Sequence, residues 1–402
     1  LGNILIWPAV LLISRHTNFR STIPWRLGIT LPSIPINRKT EWIHAASVGE
    51  VKAVSGLIRA LGSDSSDLFI CVSCMTATGR EVAGKISEID LVIPFPFDLS
   101  WVMRRYLMRL HPEVLMIVET ELWPNMILMA ARLGVPVAFF NARLTHLSYT
   151  QFEKIGFVIK EVLKDVRVFA MADSDAERFS SLGAHGVEVL GNLKLDHIGD
   201  VDLQKRDALR KELGVDNRPV FIAGSIREGE EKDVIASIAY AASRIKGLYS
   251  IVAPRHPEML GTLKKLAENK GLIWGLRSIM PPDIDLLFID TFGELFDLYG
   301  ASDAAFVGGS LKDLGGQNIL EPIAWGVPTI HGPHMDNFTW ALEVVKGSTI
   351  QLTDPSGLGA AVADIINHED KYRDMAERAR KTLNTRRGVT KRYIQALRRF
   401  IR

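Results

Sequence analysis

Short apolar runs rich in Val, Ile and Phe recur along the whole chain, and stretches of helical periodicity separate them. Runs that are apolar on both faces are typical of parallel β-strands covered by helices on both sides. Strands are predicted at residues 42–47, 68–73, 91–95, 114–119, 135–140 and 166–172, and at 219–225, 249–254, 285–290, 304–310 and 327–332. The polar segment 193–219 separates the two series, so we predict two doubly wound α/β domains. Ligands bind at the carboxyl ends of such strands, which favours a site in the cleft between the domains.

The charge of the chain is unevenly distributed, and this limits its partners. All 46 acidic residues lie between residues 41 and 377, whereas residues 1–40 and 378–402 contain basic residues and no acid. A nucleic-acid-binding protein needs a basic stripe on its main surface, so an acidic body with two basic ends argues against that class. With 47% hydrophobic and 23% charged residues, a disordered chain is also excluded. The pattern favours contact with an anionic surface at the chain ends.

The beginning of the chain supports a membrane surface as that partner. Residues 4–13 form an apolar run, and the charged residues that follow it up to residue 40 are all basic, but the run is shorter than the roughly 20 residues of a spanning helix. It also lacks the small-residue cleavage site of a secretory signal. We predict a membrane anchor or interfacial helix within residues 1–20, with a buried first helix as the alternative. The two cysteines, Cys71 and Cys74, lie on a predicted strand, which favours a structural role in a cytoplasmic protein.

Several strand ends carry polar residues in the arrangement S/T-x-x-E. The general interpretation is a capping box, in which the hydroxyl and the carboxylate bind free amides at a helix start. Glu50 and Glu294 differ from the others because a glycine precedes each, which leaves room for a ligand near the backbone. Two glycine-rich segments, Gly308-Gly309-Ser310 and 315–318, predict a phosphate cradle, with Glu321 one turn further on to bind ribose hydroxyls.

Charged residues at other strand ends are further candidates. Glu119 and Glu121 end a buried strand, Arg255 follows another between two prolines, and Lys194 lies at the end of the first domain. The alternative for Arg255 is a surface ion pair, and the alternative for Lys194 is an ordinary solvated lysine. No G-x-G-x-x-G follows a strand, the nearest approach to a P-loop has Glu230 in place of its lysine, and no His/Cys cluster has metal-binding spacing. Dinucleotide chemistry, P-loop hydrolysis and a metal cofactor are therefore not indicated.

Ten motifs in order together resemble the bacterial 3-deoxy-D-manno-octulosonic acid (Kdo) transferases. They are HAASVGE (44–50), TATG (76–79), ETELWPN (119–125), NARL (141–144), GNLKLD (191–196), GSIREGEE (224–231), PRHPE (254–258), GEL (293–295), FVGGSL (306–311) and GGQNILEP (315–322). The resemblance implies a GT-B glycosyltransferase fold with two Rossmann-like domains that face a cleft. It also implies an inverting transfer of Kdo from CMP-Kdo to a lipid A precursor (lipid IVA) at the cytoplasmic face of the bacterial inner membrane.

The resemblance also implies roles for particular residues. Glu50 corresponds to the general base, and we expect its carboxylate to stay ionised at a helix N-terminus. Glu119 and Lys194 correspond to residues that stabilise the transition state. The CMP-binding segments correspond to Pro254, Arg255, Phe292, Gly293, Glu294, Asn318, Ile319, Leu320 and Glu321. Cationic groups would stabilise the leaving CMP, so no metal or other cofactor is expected.

The implied domains are residues 1–20 for membrane association, 21–197 for the lipid acceptor, and 198–402 for the CMP-sugar, with a basic C-terminal helix. Phe292 departs from the family pattern, which has another apolar residue there, such as Met. Two alternatives stay open: another GT-B enzyme, such as a nucleotide-sugar epimerase or a UDP-sugar transferase, and a non-catalytic protein that binds lipid or nucleotide-sugar.

Overall fold

The structure is a computed structural model that describes residues 21–35, 37–64 and 67–401. The predicted membrane-associating segment 1–20 lies outside the described residues. By its internal contacts the chain forms two units, one of residues up to His197 together with those from Gly388 onward, and the other Ile198–Arg387. In the described ranges, no helix has both the length and the apolar character that crossing a bilayer requires.

The first unit is built on a seven-stranded parallel sheet with the order β3-β2-β1-β4-β5-β6-β7. Its strands are β1 (Lys39–His44), β2 (Leu68–Cys74), β3 (Leu91–Pro94), β4 (Pro112–Val118), β5 (Val137–Ala142), β6 (Val166–Ala170) and β7 (Gly186–Val189). Its helices are α1 (Ile23–Arg26), α2 (Val48–Asp64), α3 (Ala77–Ala83), α4 (Ser100–Leu110), α5 (Pro124–Arg132), α6 (His146–Glu153), α7 (Gly156–Leu163) and α8 (Asp173–Ser181), followed by a 3₁₀ helix at Leu193–His197.

The second unit has the same architecture, with the strand order β10-β11-β9-β8-β12-β13-β14. Its strands are β8 (Val220–Ile226), β9 (Tyr249–Pro254), β10 (Trp274–Leu276), β11 (Leu286–Phe288), β12 (Ala304–Val307), β13 (Thr329–His331) and β14 (Ile350–Gln351). Its helices are α9 (Leu203–Glu212), α10 (Glu231–Ala242), α11 (Leu260–Asn269), α12 (Leu295–Gly300), α13 (Leu320–Ala324), α14 (Thr339–Val344), α15 (Leu358–Asn367) and α16 (Glu369–Arg386).

Each sheet has a point where the strand order reverses direction. It lies between β1 and β4 in the first sheet and between β8 and β12 in the second. Because helices that follow neighbouring strands then diverge to opposite faces, a crevice opens at the carboxyl ends of these two strands. The segments that follow β1, β4, β8 and β12 are therefore placed to form ligand sites.

All the predicted apolar runs form strands, and two parallel sheets confirm the predicted fold class. Three strands were not predicted, namely β7, β10 and β14. Each is the outermost strand on one side of its sheet, and each contains partly exposed residues. An edge strand has a solvated side, so it lacks the continuous apolar run by which a central strand is recognised.

The structure corrects the assignment of the C-terminal residues to the second domain. The last helix, α17 (Val389–Ile401), packs in the first unit through Val389, Tyr393, Ala396 and Leu397. At its beginning, Asp196 accepts hydrogen bonds from the amides of Gly388 (2.8 Å) and Thr390 (2.6 Å). The apolar face of α17 and the Asp196 cap at its start, both contacts between residues far apart in sequence, thus make α17 part of the first unit.

Candidate functional site

Glu50 lies in the segment that follows β1, one of the two strands at the reversal point of the first sheet. Its Oε2 accepts a hydrogen bond from the Ala46 amide (2.7 Å), and its Oε1 accepts one from the Ser47 hydroxyl (2.9 Å). Ser47 Oγ in turn accepts the Glu50 amide at 3.4 Å. Ser47 caps α2 as in a capping box, whereas the Glu50 carboxylate binds the amide of Ala46, one residue before the cap, so Glu50 helps to hold the start of α2.

Burial changes the acidity of Glu50 in a way that the sequence analysis did not expect. The side chain is 8% exposed, and this burial raises the pKa of Glu50 to about 7. The hydrogen bonds from Ala46 and Ser47 lower the pKa, but the charges of Glu119 and Glu121 add to the increase. The expectation that the helix start keeps this carboxylate ionised is therefore wrong, because desolvation outweighs the helix terminus. Glu50 instead titrates close to neutral pH.

Glu119 and Lys194 lie close together in the same unit. Lys194 Nζ is 3.7 Å from Glu119 Oε1, and both side chains are partly exposed. Glu119 directly follows β4 and has a φ of 58°, a left-handed conformation that is unfavourable for a residue with a Cβ. Its amide donates to the Phe140 carbonyl (2.8 Å), which fixes the backbone at this position.

The segment that carries Lys194 is held by two buried asparagines. The Leu193 amide donates to Asn141 Oδ1 (2.9 Å), and the Lys194 amide donates to Asn192 Oδ1 (2.9 Å). Asn141 has a φ of 54°, at the end of β5. The three predicted catalytic residues thus lie on strand-end segments of one unit, and two of them are in direct contact.

Two neighbouring residues had no assigned role: Glu121, which was a candidate from the sequence, and His44, which was not. Glu121 accepts a hydrogen bond from Trp123 Nε1 (2.8 Å), and burial raises its pKa. His44 is fully buried, stacks on Phe95 with ring centroids 4.0 Å apart, and has its Nε2 4.0 Å from Glu121 Oε2. Burial lowers the pKa of His44 to about 3, so at neutral pH the two side chains do not form an ion pair. A histidine at the end of an apolar strand was the signal available in the sequence.

The second unit brings together some of the predicted nucleotide-binding residues. Asn318 Nδ2 donates to Glu321 Oε1 (2.9 Å), and Asn318 Oδ1 accepts the Leu320 amide (3.2 Å). Burial raises the pKa of Glu321, while the nearby positive charge of Arg255 opposes this increase. Arg255 itself is exposed after Pro254, the last residue of β9, and Ile319 and Leu320 are buried. A cation, a carboxylate and an amide thus lie near one another.

The turn at Phe292, Gly293 and Glu294 is more exposed. Phe292 is 84% exposed, and Gly293 has a φ of 88°, which favours glycine. Glu294 binds the Thr291 hydroxyl and accepts a hydrogen bond from Arg277 Nε (2.9 Å). The helix after this turn, α12, packs against α13, which follows Asn318. The structure therefore places the two segments on adjacent helices, although Glu294 is already engaged by Arg277.

The predicted phosphate cradle at Gly308-Gly309-Ser310 is wrong, because another side chain occupies it. Glu230 is completely buried and accepts the amides of Arg227 (2.8 Å), Gly309 (2.7 Å), Ser310 (2.9 Å) and Leu311 (2.9 Å). A carboxylate of the chain itself thus satisfies the donors that a phosphate would need. The sequence contained a signal of this, because Glu230 stands where a P-loop has its phosphate-binding lysine.

Packing explains the glycines of this region. A Cβ on Gly308 would lie 2.4 Å from Ile226 Cα, and one on Gly315 would lie 2.2 Å from Asn337 Nδ2. A Cβ on Gly308 would meet backbone atoms, and Gly315 has a φ of 79° besides its close contact, so both positions favour glycine within the fold.

Most of the S/T-x-x-E segments do not form the capping box predicted for them. Thr76 rather than Thr78 caps α3, since Thr76 Oγ1 accepts the Gly79 amide (3.0 Å), and Glu230 rather than Glu228 precedes α10.

Among the described residues, a group that could hold a metal ion is formed by Asp313, His334 and Asp336, with ligand atoms within 4.8 Å of one another. Two of these three residues are exposed, and exposed acidic groups are common without a bound ion.

Comparison with known proteins connects the chain to one family. The family described as 3-Deoxy-D-manno-octulosonic-acid transferase (kdotransferase) matches residues 22–197. A 3-deoxy-D-manno-octulosonic acid transferase of Haemophilus influenzae is 31% identical over 371 residues, which cover 90% of this chain and 87% of the relative. The protein of the same name from Bordetella pertussis is 32% identical over 378 residues, covering 89% and 86%.

A solved structure supports the fold. The crystal structure of a glycosyltransferase from Rickettsia africae aligns with a TM-score of 0.60, over 91% of this chain and 99% of that one, at 14% identity. This likeness concerns the fold alone. Together with the two parallel sheets, it confirms the predicted GT-B fold with two Rossmann-like domains.

Proposed function

This chain belongs to the 3-deoxy-D-manno-octulosonic acid transferase family, and from that membership we propose that it transfers Kdo from CMP-Kdo to a lipid A precursor (lipid IVA) with inversion at the anomeric carbon. The observation that carries the proposal is the state of Glu50, a buried carboxylate in the first turn of the helix after β1, with a pKa of about 7. A glycosyltransferase needs a group that takes a proton from the acceptor hydroxyl, and a base is most effective when its pKa lies near the working pH.

The proposed reaction is a single displacement. The acceptor oxygen forms a bond to the anomeric carbon of Kdo while its proton passes to Glu50. The bond between that carbon and the phosphate oxygen breaks at the same time, and CMP leaves with the electron pair. Glu50 keeps the two hydrogen bonds from Ala46 and Ser47 during this step, which holds the carboxylate in one orientation.

Lys194 and Glu119 are proposed to stabilise the transition state. The Lys194 ammonium supplies positive charge where negative charge develops, and Glu119, at 3.7 Å, holds the lysine in position. The left-handed backbone of Glu119 and the buried asparagines behind Lys194 support this role, because a strained and well-anchored segment keeps its charges fixed before the reaction.

The second unit is proposed to bind the CMP part of the donor. Arg255 is suited to the phosphate, and Glu321, oriented by Asn318, is suited to ribose hydroxyls. The backbone at Phe292 and Gly293, where Gly293 has a φ of 88°, would add contacts to the nucleotide. In this proposal Arg255 and Lys194 balance the charge of the leaving CMP, and no metal takes part.

The acceptor is an anionic lipid, so the proposal includes attachment to the cytoplasmic face of the bacterial inner membrane. The basic residues at both ends of the chain and the apolar residues 4–13 support this location. The first unit would then bind the lipid acceptor and the second unit the nucleotide.

To test this function, the protein is incubated with CMP-Kdo and a tetra-acylated lipid A precursor, and the lipid is then analysed by mass spectrometry. We expect a mass gain of one or more Kdo residues. We expect Glu50→Gln to lower kcat by about 10²- to 10⁴-fold, the usual contribution of a general base. The matched control is Glu81→Gln, the same substitution at an exposed glutamate of α3 that pairs with Lys85, and it should leave kcat unchanged.

Three results would contradict the proposal. CMP-Kdo that is consumed or isomerised without a lipid product would favour an epimerase or hydrolase. Binding of nucleotide and lipid without turnover would favour a non-catalytic protein. Near-normal kcat in Glu50→Gln would keep the transferase but remove Glu50 as its base.

A further inference from the structure

The outer face of α4 has an unusual composition for a solvent-exposed helix. One side of α4 is buried in the core of the first unit through Val102, Met103, Tyr106, Leu107 and Leu110. The opposite side exposes Trp101 (44%), Arg104, Arg105 and Met108 (48%). These four residues have the spacing i, i+3, i+4 and i+7, so they form one continuous stripe along the helix.

The charge of this stripe is entirely positive. The helix contains three arginines and no acidic residue. Arg109 donates to the Pro32 carbonyl (2.6 Å), whereas the side chains of Arg104 and Arg105 form no hydrogen bond or ion pair with any of the described residues. Two unpaired cations between an exposed tryptophan and an exposed methionine are typical of helices that lie in a membrane interface.

Gly28 lies beside this stripe, and the exposed Ile29 follows it in the chain. Ile29 is 67% exposed, and its neighbour Gly28 lies against α4: a Cβ on Gly28 would be 3.6 Å from Val102 Cγ1 and 3.9 Å from Arg105 Cδ. The apolar residues 4–13 and the basic Arg15 and Arg20 precede this point closely in the sequence. In the sequence, an apolar and basic segment thus precedes the residues that lie beside this surface.

We propose that the stripe of Trp101, Arg104, Arg105 and Met108, together with Ile29, is a surface that binds the headgroup region of an anionic bilayer. The two arginines contact lipid phosphates, and Trp101, Met108 and Ile29 enter the boundary between headgroups and acyl chains. Since α4 follows β3, its first residues lie toward the carboxyl ends of the strands, the edge of the sheet that carries Glu50 and Glu119. The inference rests on the proposed function, in which the acceptor is a lipid.

A fluorescent label at position 108 tests the contact directly. Both natural cysteines are buried, so M108C provides a thiol that can be labelled selectively with an environment-sensitive dye. We expect its emission to shift to shorter wavelength with vesicles of equimolar phosphatidylglycerol and phosphatidylcholine, less so at high salt. The matched control is K270C at the exposed end of α11, which should not shift. An unshifted label at position 108 would overturn the proposal.

Charge removal gives the second measurement. Each basic residue near an anionic surface contributes roughly a fivefold gain in partition, so R104A and R105A together should lower binding of the full chain to these vesicles about 25-fold. The control K265A with K270A removes the same charge from an exposed lysine of α11 and the exposed lysine that follows it, and should leave binding within about twofold. Equal binding by both double variants would attribute membrane attachment to other parts of the chain and overturn the proposal.

The same variants separate this inference from the proposed function. Transfer of Kdo to a lipid acceptor dispersed in detergent should stay within about twofold in R104A with R105A, because these residues are not part of the catalytic site. If no variant, nor the natural protein, transfers Kdo while the label still shifts, the proposed function fails and the membrane surface stands.

Discussion

At the scale of single residues, desolvation determines the chemistry of the candidate site. Glu50 and His44 lie near the same strand end, and burial favours the neutral form of each. It raises the pKa of the carboxylate to about 7 and lowers that of the imidazole to about 3. Glu50 is therefore a group of this site that changes charge near neutral pH, whereas His44 keeps a fixed neutral state.

The activity should depend on pH through Glu50. Because a general base must be deprotonated, we expect kcat/KM to rise as the pH increases through about 7, and Glu50→Gln to lose this dependence along with most of its activity. A pH–rate profile of the natural protein and of this variant measures both. An acid limb near the ordinary glutamate value, about 4.5, would show that Glu50 is not the titrating group.

The same shift affects stability with a defined sign. Between the ordinary pKa of 4.5 and the folded value of about 7, the folded protein binds more protons than the unfolded chain. The free energy of unfolding therefore falls as the pH rises through this window, and the whole penalty is present above about 7. Glu50→Gln lacks this contribution, so urea unfolding at pH about 5 and about 8 should show a smaller decrease for the variant than for the natural protein.

At the scale of elements, α17 supports the segment that carries Lys194. The Tyr393 hydroxyl accepts the Asn141 amide (3.1 Å) and lies 3.2 Å from the Phe169 carbonyl and 3.1 Å from the Gly191 carbonyl. Asn141 in turn accepts the Leu193 amide. The last helix of the chain is thus connected by hydrogen bonds to the 3₁₀ helix beside the site.

Tyr393→Phe tests this connection. It leaves the buried Asn141 amide without an acceptor, so we expect the free energy of unfolding to fall by about 1–3 kcal/mol. We also expect a severalfold lower kcat, since Lys194 is less firmly held, with unchanged CMP affinity. Tyr149→Phe is the matched control, because its hydroxyl pairs with Glu153 on the surface of α6 and should change neither quantity. Unchanged stability in Tyr393→Phe would show that α17 does not support the site.

At the scale of the whole molecule, two units of the same architecture carry different chemical groups. The first has carboxylates and a lysine at the reversal point of its sheet, and the second has Arg255, Asn318 and Glu321 near one another. Glu230 fills the loop after β12 and so contributes to the rigidity of the second unit rather than to binding. The proposed division of acceptor and donor between the units follows from these groups.

The division predicts where CMP binds. We expect CMP to slow hydrogen exchange within residues 198–387 and to leave the segment around Glu50 unchanged. Arg255→Ala should weaken CMP binding roughly 10- to 100-fold, the loss of a charge-assisted hydrogen bond, when measured by calorimetry. Lys270→Ala, which removes an exposed charge of the same unit, should have no effect. Equal CMP affinity in Arg255→Ala and Lys270→Ala would contradict the assignment of Arg255 to the phosphate.

Much of the fold could be predicted from the sequence because the central strands are buried on both faces. Runs such as 114–118 and 304–307 are apolar throughout, and this pattern has few other interpretations. The edge strands β7, β10 and β14 could not be recognised, since their partly exposed residues resemble those of loops. Glu50, Glu119 and Lys194 were chosen as candidates because polar residues at strand ends and the family motifs coincide there.

The sequence by itself determined the two parallel sheets, the family and the identity of the candidate residues, because apolar runs and motifs are local properties of the chain. The tertiary structure alone decided three other features. It returned α17 to the first unit, placed Glu230 in the loop predicted to bind phosphate, and raised the pKa of Glu50 to about 7. Each depends on contacts or burial between residues far apart in sequence, and such contacts exist only after the chain has folded.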